Sequence, residues 1–414
     1  MSDSNQLVIP EGINYECTGC GKCCSGWSVP LTKDDYERIS AIDWASKNEK
    51  FEGESLFREL KGFEKANSPY THAIKHGDDG FCPFLVNNLC YIHSTYESKT
   101  KPSICQLFPY NFNETPSGFL STVSFVSVGA VKNAGRPLSE QREYLESKLA
   151  EFKRLYPNHH PNWSKIELAK EVPISWEQYI ELEEKMLAVL NQRQKPIKLR
   201  LAEMSLLIVE KYLAVKGGSL PSGKNVIELS SSAHPIKKAD LVLLQEFYRL
   251  YFPESPISRS NMNFSAWRFA LSTASYAVGL GSGLTLRVPG AAVPYTQAKS
   301  IPLKLDILED ILYRFVYQRI FGKMYFGAGY GQLSIMVGFH HLVVAVVLAE
   351  LHARASAFNR GFKDVQEADM VSTMRTLEKR LGDSALDGYA AAVLEYQLQS
   401  HGRCLRLLSL CDQS

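Results

Sequence analysis

Apolar positions along this 414-residue chain fall into two textures that change near residue 135. Before it they come in short runs divided by turn-forming residues; beyond it they recur at the three- and four-residue spacing of helices that face a core. Thr32-Lys-Asp-Asp35 is a capping-box pattern, so a helix carrying Tyr36, Ile39 and Ile42 is expected to start there. Lys75-His-Gly-Asp-Asp-Gly80 reads as a turn that delivers the chain into Cys82. Phe119 to Val131, rich in Val, Ser and Phe, reads as a strand or hairpin.

The later segment opens with a second capping box, Ser175-Trp-Glu-Gln178, followed at helical spacing by Trp176, Tyr179, Ile180, Leu187 and Leu190. Pro196 is expected to break that helix. The next should run through Leu199, Met204, Leu207, Ile208 and Tyr212 to Gly217-Gly218. Residues 217–238 read as an exposed connection, with further helices expected at 239–252, 263–278, 303–322, 332–356, 363–381 and 384–400. The fold class is therefore mainly α: a small irregular cysteine-cluster metal domain over residues 1–135, then a larger helical domain over 136–414.

Composition narrows the partners. Lys plus Arg number 46 against 44 Asp plus Glu, and the resulting +2 gives no electrostatic reason to expect nucleic acid. The first ten residues show neither the basic start nor the apolar run of a signal peptide. Leu333 to Ala349 is the most membrane-like stretch, yet it holds Ser334, His340 and His341 and precedes Glu350. A bilayer span takes about 20 mostly apolar residues, so a buried core helix, no membrane partner and a cytoplasmic location are expected.

The cysteines change the picture most. Cys17, Cys20, Cys23 and Cys24 lie within eight residues, Cys82, Cys90 and Cys105 follow, and the next 298 residues hold none before Cys404 and Cys411. Thiols this dense without a secretory leader point to metal, not disulfides. Cys17, Cys20 and Cys23 form a C-x2-C-x2-C run, the spacing that wraps three corners of an iron–sulfur cube, and Gly19 and Gly21 relieve the backbone between them. Adjacent residues rarely aim both side chains at one ion, so Cys24 either serves a second centre or is a packed thiol. With Cys82, Cys90, Cys105 and His93 the soft ligands number seven or eight, enough for one cluster with spares or for two four-coordinate sites. The expected cofactor is an iron–sulfur cluster of the 4Fe–4S type, or zinc or iron ions. Cys404 and Cys411 read as structural.

Other motifs are weaker. Gly279-Leu-Gly281-Ser-Gly283 has nucleotide-loop spacing but follows a helical pattern instead of a strand, so a helix-ending loop is expected. Gly327-Ala-Gly329-Tyr-Gly331 should separate two helices. His340 and His341 are neighbours pointing to different helix faces, which suits core imidazoles better than a shared ion.

The segments Cys17-Thr-Gly-Cys-Gly-Lys-Cys-Cys24 … Val29-Pro-Leu-Thr32, Gly80-Phe-Cys82-Pro-Phe-Leu … Cys90-Tyr-Ile-His93 and Lys101-Pro-Ser-Ile-Cys105-Gln-Leu-Phe-Pro109 resemble the YkgJ-type cysteine-cluster family, a zinc- or iron-chelating domain. The resemblance covers roughly residues 15–130. It implies a thiolate-held zinc, iron or iron–sulfur centre with no firmly shared activity. The region from Ile174-Ser-Trp176 onward, with Ile311 to Phe321, is more weakly similar to flagellin lysine N-methylases. That likeness implies an S-adenosylmethionine-dependent protein lysine N-methyltransferase whose helical domain binds a protein substrate or partner; it assigns no catalytic residue. Two positions depart from those relatives: Ser124 to Gly129 lacks a further cysteine, and Gln106 stands where an arginine commonly balances cluster charge.

Overall fold

The structure, a computed structural model, describes residues 6–411 apart from 26–27, 54, 63–67, 78–79, 97, 219–233, 254–273, 275–282, 305 and 384–387, and apart from the side chains of 98, 382–383 and 388–390. The chain divides into two compact units, residues 1–160 and 161–414.

Unit 1 is built on two small sheets. In the first, β1 (Leu7–Val8) runs parallel to β8 (Gly118–Val123), which pairs antiparallel with β7 (Tyr110–Thr115) in the register Asn113↔Leu120. In the second, β2 (Val29–Thr32) and β3 (Phe57–Glu59) flank β4 (Tyr70–Ile74), with Leu31 opposite His72 and Arg58 opposite Ala73. The unit also holds the hairpin β5 (Leu85–Val86) and β6 (Leu89–Cys90) and the short helices α2 (Tyr91–Thr95), α3 (Ser103–Leu107) and α4 (Val128–Val131). Val29, Leu31, Ile39, Trp44, Phe84 and Ile92 belong to one apolar core cluster.

The first capping box forms as expected. Thr32 caps α1 (Lys33–Ser40), its hydroxyl accepting from Asp35 N while the Asp35 carboxylate accepts from Thr32 N. Asp35 is fully buried and does more than cap. The same carboxylate accepts from Ser103 N, from Ser103 Oγ at 3.0 Å and from Arg38 Nη2 at 2.7 Å. One side chain thus satisfies the exposed N-terminal amides of two helices, the second of which carries Cys105.

Two expectations for this region change. The strand read over Phe119 to Val131 ends at Val123, and its partner is the upstream segment 110–115; residues 128–131 are helical. All four of those residues are buried, and a run buried on every side has no period that separates strand from helix. Gly129 is needed there because a Cβ would come within 2.4 Å of the Glu16 carbonyl oxygen. The unit also extends past residue 135. Tyr15 N donates to Arg136 O, Gln141 Nε2 donates to Tyr15 O, and α5 (Arg142–Leu155) packs Phe152 on Phe112. The long helix α5 belongs with the sheets it covers.

Unit 2 is helical with two short hairpins, β9 (Glu167–Ala169) with β10 (Val172–Pro173) and β11 (Thr285–Val288) with β12 (Ala291–Pro294). Its helices are α6 (Trp176–Leu190), α7 (Ile197–Val215), α8 (Lys238–Tyr251), α9 (Tyr295–Lys299), α10 (Asp306–Phe321), α11 (Ile335–Asn359), α12 (Glu367–Asp383), α13 (Gly388–Leu398) and α14 (His401–Leu408). The second capping box closes around Ser175 and Gln178. Pro196 differs from expectation: α6 has already ended at Leu190, and Pro196 leads into α7, where its missing N–H costs nothing. The helix expected at 263–278 and most of the connection at 217–238 lie outside the described residues.

Helix α11 is apolar on every face and is surrounded by α7, α8, α9, α12, α13 and α14. By length and composition it is long and apolar enough to cross a membrane, but 94% of its most apolar window is buried within the unit. Its polar groups are matched: Arg354 pairs with Glu350 and donates to the Lys299 and Ile301 carbonyls.

Replacing fully buried Leu348 by Ala should destabilise unit 2 by about 2–5 kcal/mol in chemical denaturation; an unchanged midpoint would contradict its packing. Asp35→Ala should cost unit 1 about 2–3 kcal/mol, since a cap and several charge-assisted bonds go together. A loss confined to a few tenths would mean that Asp35 does not tie α1 to α3.

Candidate metal centre

The cysteine-rich loop is shaped by glycines. Gly19 and Gly21 both adopt positive φ, at 61° and 67°, and Gly21 leads into a tight 3-10 turn over Lys22–Cys24 closed by Cys24 N donating to Gly21 O. A side chain at Gly21 would press on Leu85, so the loop lies directly against the β5–β6 hairpin.

A single ladder of backbone bonds then carries the other thiols to that loop. Cys82 N donates to the Cys24 carbonyl at 2.8 Å, and Ser25 bridges Phe81. Leu85 N donates to Cys82 O, Leu85 pairs with Cys90, and Tyr91 N donates to Phe84 O. The hairpin turns on Asn87 and Asn88, both at positive φ, which Asn tolerates better than most residues. Cys105 arrives on α3, anchored at its first turn by Asp35.

The outcome is one cavity of about 1150 Å³ lined by Cys17, Cys20, Cys23, Cys24, Cys82, Cys90 and Cys105, with His93 also on its wall. Every candidate ligand read from the early sequence reaches it. None of these thiols is in a disulfide, and Cys17 is the exposed one. Among the described residues no three His, Cys, Asp or Glu side chains already stand in a metal-holding arrangement. The thiols share a chamber without yet sharing a point.

Their electrostatics suit a soft cation. Burial pushes the Cys24 thiol up to about 11, with further rises from the charges of Cys90 and Cys23. Burial likewise lifts Cys82 to about 12 and Cys105 well above the usual thiol range, Cys24 and Cys90 adding to both. Such thiols are protonated at neutral pH, so a bound cation must displace one proton from each that it takes. Zinc, iron or an iron–sulfur cluster fits this donor set, since thiolate is the preferred ligand of each. His93 is exposed, and partial burial with the nearby charge of Lys101 lowers its pKa, which leaves a neutral imidazole.

Sequence reasoning missed the cation beside the centre. Gln106, in the place of a charge-balancing arginine, donates to the carbonyls of Lys101 at 2.8 Å and Lys99 at 3.2 Å, and Arg38 also donates to Lys101 O. These bonds hold the Lys101 backbone at the cavity wall, where the lysine's charge opposes the rise of both Cys24 and Cys105. Lys50 acts similarly on Cys82 while its ammonium bonds the Leu85 carbonyl. The Asn87-Asn88 turn, by contrast, left a readable trace in the sequence.

The remaining motifs belong to unit 2, and none of their described residues lines this cavity. Cys404 and Cys411 are buried there, Cys404 bonded to Ser205 and Cys411 to Glu350. His340 lies between Ser205 Oγ and the Leu398 carbonyl, and His341 bonds the Tyr251 hydroxyl; burial lowers the two imidazoles to about 4 and about 3. Gly327 to Gly329 form a short 3-10 turn between α10 and α11. Gly279 and Gly281 lie outside the described residues, and Gly283 is followed by strand β11, not by a helix.

Comparison with known proteins agrees with the cavity. No solved structure matches the chain. An uncharacterized protein of Methanocaldococcus jannaschii is 28% identical over 177 residues, 41% of this chain and 56% of the relative, so the match spans little more than half of that protein. The resemblance to flagellin lysine N-methylases finds no counterpart in these matches. Residues 16–125, which hold all seven clustered cysteines, match the model of the CxxCxxCC family, described as "Putative zinc- or iron-chelating domain".

Proposed function

We propose that unit 1 is a metal-binding module whose clustered cysteines hold zinc or iron as thiolates, with a 4Fe–4S cluster the form that the C-x2-C-x2-C spacing favours. One observation carries this reading: thiols from four separate stretches of chain, 17–24, 82, 90 and 105, line the same cavity. Chance packing of cysteines as small hydrophobes would bury each thiol in its own surroundings. The charge environment supports the same conclusion. Lys101 and Lys50 offset the negative charge that a set of metal-bound thiolates carries, and neighbouring groups of this kind tune both affinity and potential.

A bound metal also answers a structural need. The β5–β6 hairpin has two-residue strands and α2 and α3 are five residues each, too short to be stable alone. Metal binding supplies on the order of 10 kcal/mol to loop-rich domains of this type.

The full-length chain, purified without oxygen, should contain iron with matching acid-labile sulfide and absorb visible light. Stoichiometric zinc in a colourless protein would reject the iron–sulfur form and keep the thiolate centre. Protein that neither retains nor takes up zinc or iron when reduced would reject the proposal. Because the displaced protons come from thiols with raised pKa values, metal affinity should climb from about pH 6 to about pH 8.

A further inference from the structure

Seven thiols in one cavity pose a question of grouping, and the local backbone answers it. Residues on a 3-10 turn project about 120° apart, so the neighbours Cys23 and Cys24 within Lys22–Cys24 face different directions. Cys23 Sγ points toward the Val126 carbonyl, 4.0 Å away. The Cys24 carbonyl receives the Cys82 amide.

From Cys24 the ladder continues without a gap. Cys82 accepts from Leu85 N, and Leu85 pairs directly with Cys90. Cys82, Cys90 and Cys105 all pack on the same apolar core, around Phe84 and Ile92. Charge links the first set: Cys24, Cys82 and Cys90 each raise Cys105, and Cys24 and Cys90 raise Cys82. Cys24, which adjoins Cys23 in the chain, feels Cys90 first and then Cys23 and Cys17.

We infer that the seven thiols form two separate metal-binding sets: Cys24, Cys82, Cys90 and Cys105 around one ion or cluster, and Cys17, Cys20 and Cys23 around another. This rests on the metal-binding reading of unit 1 and assigns its ligands. The first set supplies four thiolates, the complement of a closed, structural centre. The second supplies three and leaves one position for a ligand from outside the cysteine set, the mark of a centre that binds or transforms something. The second set includes the most exposed thiol, Cys17, and adjoins Tyr15, which with Tyr110 forms an edge-to-face aromatic pair on the cavity wall. Lys101 faces the first set, where four thiolates around a divalent ion leave two excess negative charges to offset.

Cobalt(II) titration of the reduced, metal-free full-length chain tests the grouping. The wild type should bind two equivalents, with sulfur-to-cobalt absorption developing in two steps. Cys24→Ser with Cys105→Ser should abolish one equivalent and keep the other; Cys17→Ser with Cys20→Ser should do the reverse. Loss of all cobalt absorption from both double variants while they remain folded by circular dichroism would overturn the grouping. A second measurement needs no variant: at one equivalent of cobalt, alkylation followed by mass spectrometry should find one complete set protected and the other reactive. Protection mixed across the sets, such as Cys20 with Cys82, would overturn the inference. Wild type that binds no cobalt would instead overturn the metal-binding reading beneath it, and the grouping with it.

Discussion

The Cys82 amide donates to the Cys24 carbonyl, and on that bond the site depends. It fastens the glycine-rich loop to the β5–β6 hairpin and sets the height at which Cys82 and Cys90 meet the loop. Without it, residues about sixty apart in sequence have no reason to share a wall. The bond sits at the foot of a cavity whose other side is fixed by Asp35, through its grip on the first turn of α3 and hence on Cys105. Two small anchors, one backbone and one side chain, thus do what a continuous sheet does in larger proteins. They hold Cys82, Cys90 and Cys105 in place on the apolar core around Phe84 and Ile92.

That construction explains which parts were legible in the sequence. Thr32-Lys-Asp-Asp35 and Ser175-Trp-Glu-Gln178 are local devices, closed within four residues, and both stand where the pattern placed them. The long helices of unit 2 were equally plain, since α11 needs only to be apolar and α6 only to repeat its apolar face. The clustered cysteines announced themselves by spacing. What stayed hidden was non-local. The Asp35 carboxylate looks like a cap and nothing more until Ser103 is seen beside it. Lys101 is an ordinary lysine until Gln106 and Arg38 pin its carbonyl to the cavity wall. The reach of unit 1 to residue 160 depends on Gln141 and Phe152 finding partners more than a hundred and about forty residues away. The Asn87-Asn88 turn was the exception, a local signal that a closer reading of hairpin chemistry would have used.

The two units differ in what stabilises them. Unit 2 buries a helix apolar on all sides and pairs that helix's polar groups internally, as in the Glu350–Arg354 pair and the His340–Ser205 bond. Unit 1 has short strands, five-residue helices and thiols whose pKa values burial has raised, and it gains most from a cation that replaces those protons. The contrast favours the thiol-lined cavity of unit 1 as the place of the proposed metal centre.

X-ray absorption at the edge of whichever metal the purified protein carries addresses that assignment most directly. The account predicts a first shell dominated by sulfur at about 2.3 Å. A shell made only of nitrogen and oxygen, with no sulfur scatterer, would contradict it.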